Sequence, residues 1–284
     1  MKRRKCLSAI LCSALAASLM LAGCGSSSDD LPDLSSLGEV NAVARSEGSG
    51  TRSEFESIAD TYENGADVEA DSTQEVLELV AEDENAVGYA AVSEAENAEG
   101  VKILDIDGVT PDTETISEGD YPLCREYMIA WIGELNELET DFLSYVRGAG
   151  QEIIGETAIP IRDTTTFLSD KSEGTIVING SSSMETMIYA LADDYCTYNP
   201  NAEIEIEISD STTGINAALS GDCDLALSSR SLTSYEEELL SYKVVASDGI
   251  AIVVNENNPL TELTLKQVAA IYDGDIEVWS DLAE

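Results

Sequence analysis

Short apolar runs alternate with amphipathic, helix-length stretches along nearly the whole chain, and this alternation restricts its fold most. Such a chain buries one face of each helix on a largely parallel sheet, the α/β class. NAVAR (41–45) reads as a strand running into a glycine-rich turn, with a helix from near Thr51 that turns Phe55, Ile58 and Ala59 inward. DSTQEVLELVAEDE reads as a helix capped by Ser72 or Asp71, with the face Val76, Leu79, Val80. AVGYAAV, VKILDIDG and REYMIAWIG read as strands, and ELETDFLSYVRGAGQEIIG as one helix closed by glycine. After a polar joint at 162–174 the pattern resumes with strands GTIVING, AEIEIEI, CDLALSS and VVASDGIAIVVN. Helices SSSMETMIYALADDYCTY, STTGINAALSGD and LTLKQVAAIYDG accompany them. The expectation is two mostly parallel sheets, without an internal repeat.

Charge narrows the function classes. The 284 residues carry a net charge of −42, which argues against nucleic acid and against an anionic membrane surface. There is no histidine, so His-based triads, general bases and metal sites are excluded. Acidic runs such as AEDENA lack the alternating pattern of a calcium loop. No cofactor or metal is expected, and an enzyme such as a phosphatase is disfavoured.

The N-terminus reads as a targeting segment. MKRRK is followed by the apolar CLSAILCSALAASLMLA and then by LAGC. This resembles a bacterial lipobox, which implies cleavage of a 1–23 signal peptide, lipidation of Cys24 and a flexible tether over 24–38; the alternative is an uncleaved transmembrane anchor. Cleavage removes four basic and no acidic residues, leaving about −46. Cys124, Cys196 and Cys223 remain in the body, without CxxC spacing, and read as free thiols or as one bridge plus one thiol.

Three strand-to-helix turns share one design: SEGSGT (46–51), NGSSSM (179–184) and SDSTTG (209–214). Each sets small and hydroxyl residues at a helix N-terminus, where free N–H groups and the helix dipole favour an anion. One such turn is ordinary capping. Three, one of them beside Arg45, point to a small oxyanion held without a metal. GSGT lacks the spacing and lysine of a P-loop and the third glycine of a dinucleotide fingerprint. Arg45 reads either as a surface ion-pair partner of Glu47 or as an anion ligand that Glu47 holds in a bidentate orientation.

RSEGSGTRSEFE, ADSTQEVLELVAEDENAVGYAAV and YPLCREYMIAWI resemble the second half of the phosphate-binding lipoproteins of ABC importers. NGSSSMETMIYALADDYCTYNP, ISDSTTGINAALSGDCDLALSSRSLTSYE, VASDGIAIVVNENNPL and LTLKQVAAIYDGDIEVWSDL resemble the first half. The halves stand in exchanged order, as in a circular permutation, with a fragment or a rearranged tandem copy as alternatives. The resemblance implies a two-lobed periplasmic-binding-protein-like α/β fold of type II, with ligand in the interlobe cleft. One lobe would comprise 39–120 plus 250–284 and carry the GSGT loop. The other, 121–249, would carry the GSSS and STTG loops, with crossings near SEGDYPL and SDGIAIV.

The resemblance also implies the ligand set. Arg45, Ser49, Gly50 and Thr51 match family phosphate contacts in the first turn, Ser182 and Ser183 in the second, and Ser211 in the third, with Glu47 as the arginine's partner. Where some members carry an acidic acceptor for the ligand's proton, this chain has Arg230, and Asp248 is the replacement. A carboxylate acceptor would favour monohydrogen phosphate over sulfate. The implied function is capture of inorganic phosphate, for delivery to an ABC importer permease, by a lipoprotein on the outer face of the bacterial cell membrane. Alternatives are a receptor for sulfate or molybdate, or a non-transport surface protein on the same scaffold.

Overall fold

The computed structural model describes residues 32–62 and 66–283. The expected signal peptide, Cys24 and the first part of the tether lie outside them. In the first stretch β1 (Asn41–Arg45), β2 (Val68–Ala70) and β3 (Ala86–Ala91) alternate with α1 (Gly50–Ala59), α2 (Thr73–Glu82) and α3 (Val92–Ala95). Next come β4 (Val101–Ile103), β5 (Asp105–Ile106), α4 (Thr113–Glu118), β6 (Cys124–Ile132), α5 (Glu137–Val146), α6 (Gln151–Thr157) and β7 (Ile159–Pro160). Three strands follow, β8 (Gly174–Ser181), β9 (Ala202–Ser209) and β10 (Leu225–Ser228), with α7 (Glu185–Tyr198), α8 (Ser211–Ser220) and α9 (Ser234–Leu239). The last elements are β11 (Leu240–Asn255), β12 (Glu262–Leu263) and α10 (Leu265–Asp273).

The two expected sheets are joined into one, in the order β2-β1-β3-β11-β6-β10-β8-β9. Strand β11 makes the join. Its first part, Leu240–Gly249, pairs antiparallel with β6, and its second part, from Ile250, pairs antiparallel with β3. The outer pairs, β1 with β2 and β3, and β8 with β9 and β10, are parallel as the alternation requires. VKILDIDG is not one strand: β4 pairs with β11, whereas β5 pairs with β12 in a separate two-stranded sheet.

Two large apolar cores flank the join, with a smaller third around Met128, Ile215, Ala226 and Leu232. The first gathers residues from both ends of the body, including Phe55, Tyr89, Val253, Tyr272 and Trp279, and takes in Tyr121, Leu123 and Ile159. Phe55 stacks on Tyr89 at 4.4 Å between centroids and meets the edge of Tyr272, the geometry that aromatic quadrupoles favour. The second core is built from a continuous stretch around Tyr127, Phe142, Tyr145, Ile178, Leu191 and Tyr195. The 162–174 joint is strapped to it: Phe167 packs against Tyr145, Tyr195 and Tyr198, and the Ser169 hydroxyl donates to Asp141 at 2.7 Å.

The expected helix over 137–155 is two helices. At the break, the N–H groups of Gly148 and Gly150 both donate to the Tyr145 carbonyl, so the chain turns out of α5. A Cβ on Gly150 would lie 2.9 Å from Leu191 Cδ2 and 3.0 Å from Val146 Cα, so α6 starts in close contact with α5 and α7. On α2 the buried face runs through Leu77, with Leu79 half-buried. Cys124, Cys196 and Cys223 are all free thiols.

Candidate functional site

All three hydroxyl-rich turns converge where the cores meet. Ser49 caps α1, its hydroxyl accepting from the Arg52 N–H, and Gly48 reaches φ +98° to bring the turn round. Ser182 and Ser183 open a short 3₁₀ turn that leads into α7. Asp210 caps α8 and leaves Ser211 as its first residue, fully buried.

Polar residues beside the first core touch those beside the second at close range. The Thr51 and Ser183 hydroxyls are 2.7 Å apart, and the Thr73 hydroxyl lies 3.2 Å from Ser183 and 3.5 Å from Ser182. The Thr73 N–H donates to Ser182 Oγ, and the Thr212 N–H donates to the Gly48 carbonyl. Gly50 lies against Ser211 and Ser229, two serines tied together by the Ser229 N–H donating to Ser211 Oγ at 3.1 Å. The result is a buried group of hydroxyls fed by the N-termini of α1, α2 and α8. Thr73 at the start of α2 was not singled out by sequence, where only the neighbouring cap stood out.

Arg45 is 2% exposed and lies behind Thr73. Its guanidinium donates to the Thr73 hydroxyl and to the Ala70 and Asp71 carbonyls. Burial pulls it down to about 10, which leaves it charged at neutral pH. The expected partner Glu47 is exposed and makes none of these contacts. A carbonyl pair does the orienting instead, because the turn points Glu47 to solvent.

A second arginine carries the carboxylate pairing assigned to Arg45. Arg125 on β6 stands opposite Asp248 on β11, at the point where the sheet passes from one core to the other. Both are buried, and the Arg125 Nη2 donates to Asp248 Oδ2 at 2.9 Å. Its Nη1 donates to the Thr51 hydroxyl at 2.6 Å, so the guanidinium reaches the hydroxyl group itself. Tyr127 joins the network, its hydroxyl 2.6 Å from Asp248 Oδ2 and 2.9 Å from the Ser183 carbonyl. Burial opposes the Arg125 charge, but Tyr127 and Asp248 outweigh it and hold the guanidinium above its ordinary range. Burial pushes the Tyr127 phenol far up, so it remains a neutral donor. The remaining acceptor, Asp248 Oδ1, takes the Ser93 N–H.

Arg230 is directed elsewhere. Both its terminal nitrogens hold the Glu236 carboxylate at 2.8 Å, and that bond raises its charge affinity while holding Glu236 below the usual carboxylate range. Two guanidiniums, one of them held by a carboxylate, and three helix N-termini are therefore tied into one cluster of hydroxyls. Such an arrangement holds a compact oxyanion through directed N–H and O–H donors. Among the described residues, no group of three or more Cys, Asp or Glu could hold a metal.

Residues 165–284 match the model of a PBP superfamily domain. The chain is 33% identical over 300 residues to Phosphate-binding protein PstS 2 of Streptococcus agalactiae, with all of both chains covered. A crystal structure of a phosphate ABC transporter's phosphate-binding protein from Streptococcus pneumoniae superposes with a TM-score of 0.70 at 31% identity, over 86% of this chain and 100% of that one. Phosphate-binding protein PstS of Bacillus subtilis aligns over 118 residues at 30% identity, covering 40% of this chain and 39% of that protein.

Proposed function

The chain belongs to the phosphate-binding protein family that serves phosphate ABC transporters, and we propose that it captures inorganic phosphate in the buried hydroxyl cradle between its two lobes. It is an extracytoplasmic substrate-binding protein of the periplasmic-binding-protein fold, and its ligand is phosphate for ABC import. The observation that carries the choice of site is the convergence of Thr51, Thr73, Ser182 and Ser183 on the Arg125 and Arg45 guanidiniums.

In this reading Ser49, Gly50, Thr51, Ser182, Ser183 and Ser211 contact the ligand through N–H and hydroxyl donors. Arg45 and Arg125 supply charge. Asp248 acts through Arg125, which it fixes in a two-pronged grip. The two units are 39–120 with 250–284, joined by Tyr121, Leu123 and Ile159, which pack into the same core, and the rest of 121–249, closing about the crossing strands as a hinge. The ligand leaves unchanged, because the site binds and releases rather than reacts. Calorimetry of the tag-free mature chain tests this: phosphate titrates with micromolar or tighter affinity, and Arg45→Ala and Ser49→Ala each weaken it by about tenfold or more. Absence of heat with phosphate, with heat from sulfate or molybdate, sinks the ligand assignment.

One observation favours a second reading, limited discrimination between oxyanions. Asp248 Oδ2 is already engaged by Arg125 and Tyr127, so it is not a free acceptor for the ligand's proton. A competing sulfate titration separates the two readings.

Lipid anchoring through Cys24 is part of the same proposal. The lipobox-like LAGC and the tether after it support it, and Cys24→Ala should release the protein from cell membranes into the soluble fraction. The exchanged order of the halves is also proposed. It is supported by the position of RSEGSGTRSEFE before NGSSSMETMIYALADDYCTYNP in the chain, an order that the streptococcal relative, aligned end to end, shares.

A further inference from the structure

Thr51 and Thr73 are set in the cradle in the same way. Each is buried in the first turn of a helix, Thr51 as the second residue of α1 and Thr73 as the first of α2. Each hydroxyl accepts from a buried guanidinium, Thr51 from Arg125 and Thr73 from Arg45, and each meets Ser183 Oγ of the other lobe. Ser183 has one hydroxyl proton and can give it to only one of these threonines. At least one threonine proton is therefore aimed across the seam. Because a guanidinium only donates, it fixes a lone pair of the hydroxyl behind and strengthens the O–H in front. Helix α2 sends a second donor the same way. Its cap Ser72 accepts from the Glu75 N–H, while the Thr73 N–H donates to Ser182 Oγ at 3.4 Å.

We propose that Thr73 is a phosphate-binding residue, giving the ligand its N–H and its hydroxyl, and that Arg45 is a positioning residue that acts through it. This rests on the reading of the cradle as the phosphate site. The charged oxygens of phosphate are stronger acceptors than a serine hydroxyl, so the donors that meet Ser182 and Ser183 turn to a ligand standing between the lobes. Arg45 stops one step short of that seam. Its Nε donates to the Ala70 carbonyl, its Nη2 to the Asp71 carbonyl and its Nη1 to the Thr73 hydroxyl, so all three nitrogens are engaged on its own lobe. The guanidinium aims and polarises the Thr73 hydroxyl, and the hydroxyl makes the contact.

The test uses Thr73→Val, Thr73→Ser, Arg45→Ala and the double variant Thr73→Val, Arg45→Ala in the full mature chain, with phosphate calorimetry below each melting midpoint. Thr73→Val keeps the branched shape without the hydroxyl and should weaken phosphate binding about twentyfold. Thr73→Ser restores the donor and should bind within about threefold of wild type. Arg45→Ala should cost at most about threefold more once Thr73 is valine, against roughly tenfold or more alone. A valine variant that binds like wild type overturns the Thr73 assignment, and so does a serine variant as weak as valine. Full multiplication of the two single losses in the double variant overturns the role given to Arg45. Should the valine variant not fold, Thr73→Ala removes the same hydroxyl and must show the same loss. Absence of phosphate heat from the wild type overturns the ligand reading itself, whereas wild-type affinity in the valine variant leaves that reading standing and removes only Thr73 from it.

Discussion

Arg125→Met should both destabilise the protein and abolish high-affinity phosphate binding. The substitution leaves Asp248 buried and uncompensated, and removal of one partner of a buried ion pair costs about 3–5 kcal/mol. Melting of the ligand-free protein reads that loss directly. The same change removes the guanidinium that reaches Thr51, so phosphate affinity should fall about a hundredfold or more beyond any effect of unfolding. The double variant Arg125→Met, Asp248→Asn separates these effects. With no carboxylate left uncompensated it should recover much of the lost stability, yet still fail to bind phosphate. Binding restored along with stability would show that Arg125 serves the hinge alone. Arg125→Lys should not rescue, because one ammonium cannot reproduce the fork that spans Asp248, Tyr127 and Thr51.

Gly50→Ala is expected to separate folding from closure. Gly50 is the first residue of α1 and is not among the glycines with positive φ, so alanine fits its own backbone. The obstacle is across the cleft, where the new Cβ would lie 2.2 Å from Ser211 Oγ and 2.7 Å from Ser229 Oγ. Both serines are fully buried and cannot swing aside into solvent. The ligand-free protein should melt within a degree or two of wild type, since alanine is no worse than glycine in a helix. Phosphate affinity should fall by about a hundredfold, because overlap of this depth is relieved only by holding the lobes apart. Small-angle scattering supplies the independent check: phosphate should compact the wild type and leave the variant open. Intact affinity with normal compaction would mean that the lobes close along another path.

The alternation of apolar runs and helices was enough to place the principal strands and the starts of α1, α2 and α8, because local periodicity and capping chemistry dictate these. What depended on pairing between distant segments could not be read. Arg125 lies inside REYMIAWI, which scans as an apolar strand, and nothing local marks it as buried opposite a carboxylate 123 residues later. Only the β6–β11 register puts Arg125 across from Asp248. The idea of an acid holding an arginine was sound, but the pair was different: Glu47 faces solvent, while Asp248 holds Arg125. The fusion of two sheets into one had the same origin. A run of 16 residues reads as a long strand, but not as one whose two parts serve different partners. The break between α5 and α6 is marked locally by the glycines of RGAGQ, while the apolar spacing that signals one helix continues across it.

The first core is sewn shut by residues far apart in sequence: the Val40 N–H donates to the Glu277 carbonyl, and the Trp279 N–H to that of Gly38. A seam of that span sets an order of assembly. The second core needs only one uninterrupted stretch and can form as soon as that stretch is available, whereas the first must wait with its strands unfinished until residues 250–282 arrive. In folding, then, the half bearing the GSSS and STTG turns is the template, and the half bearing the GSGT turn is closed last by residues 250–282.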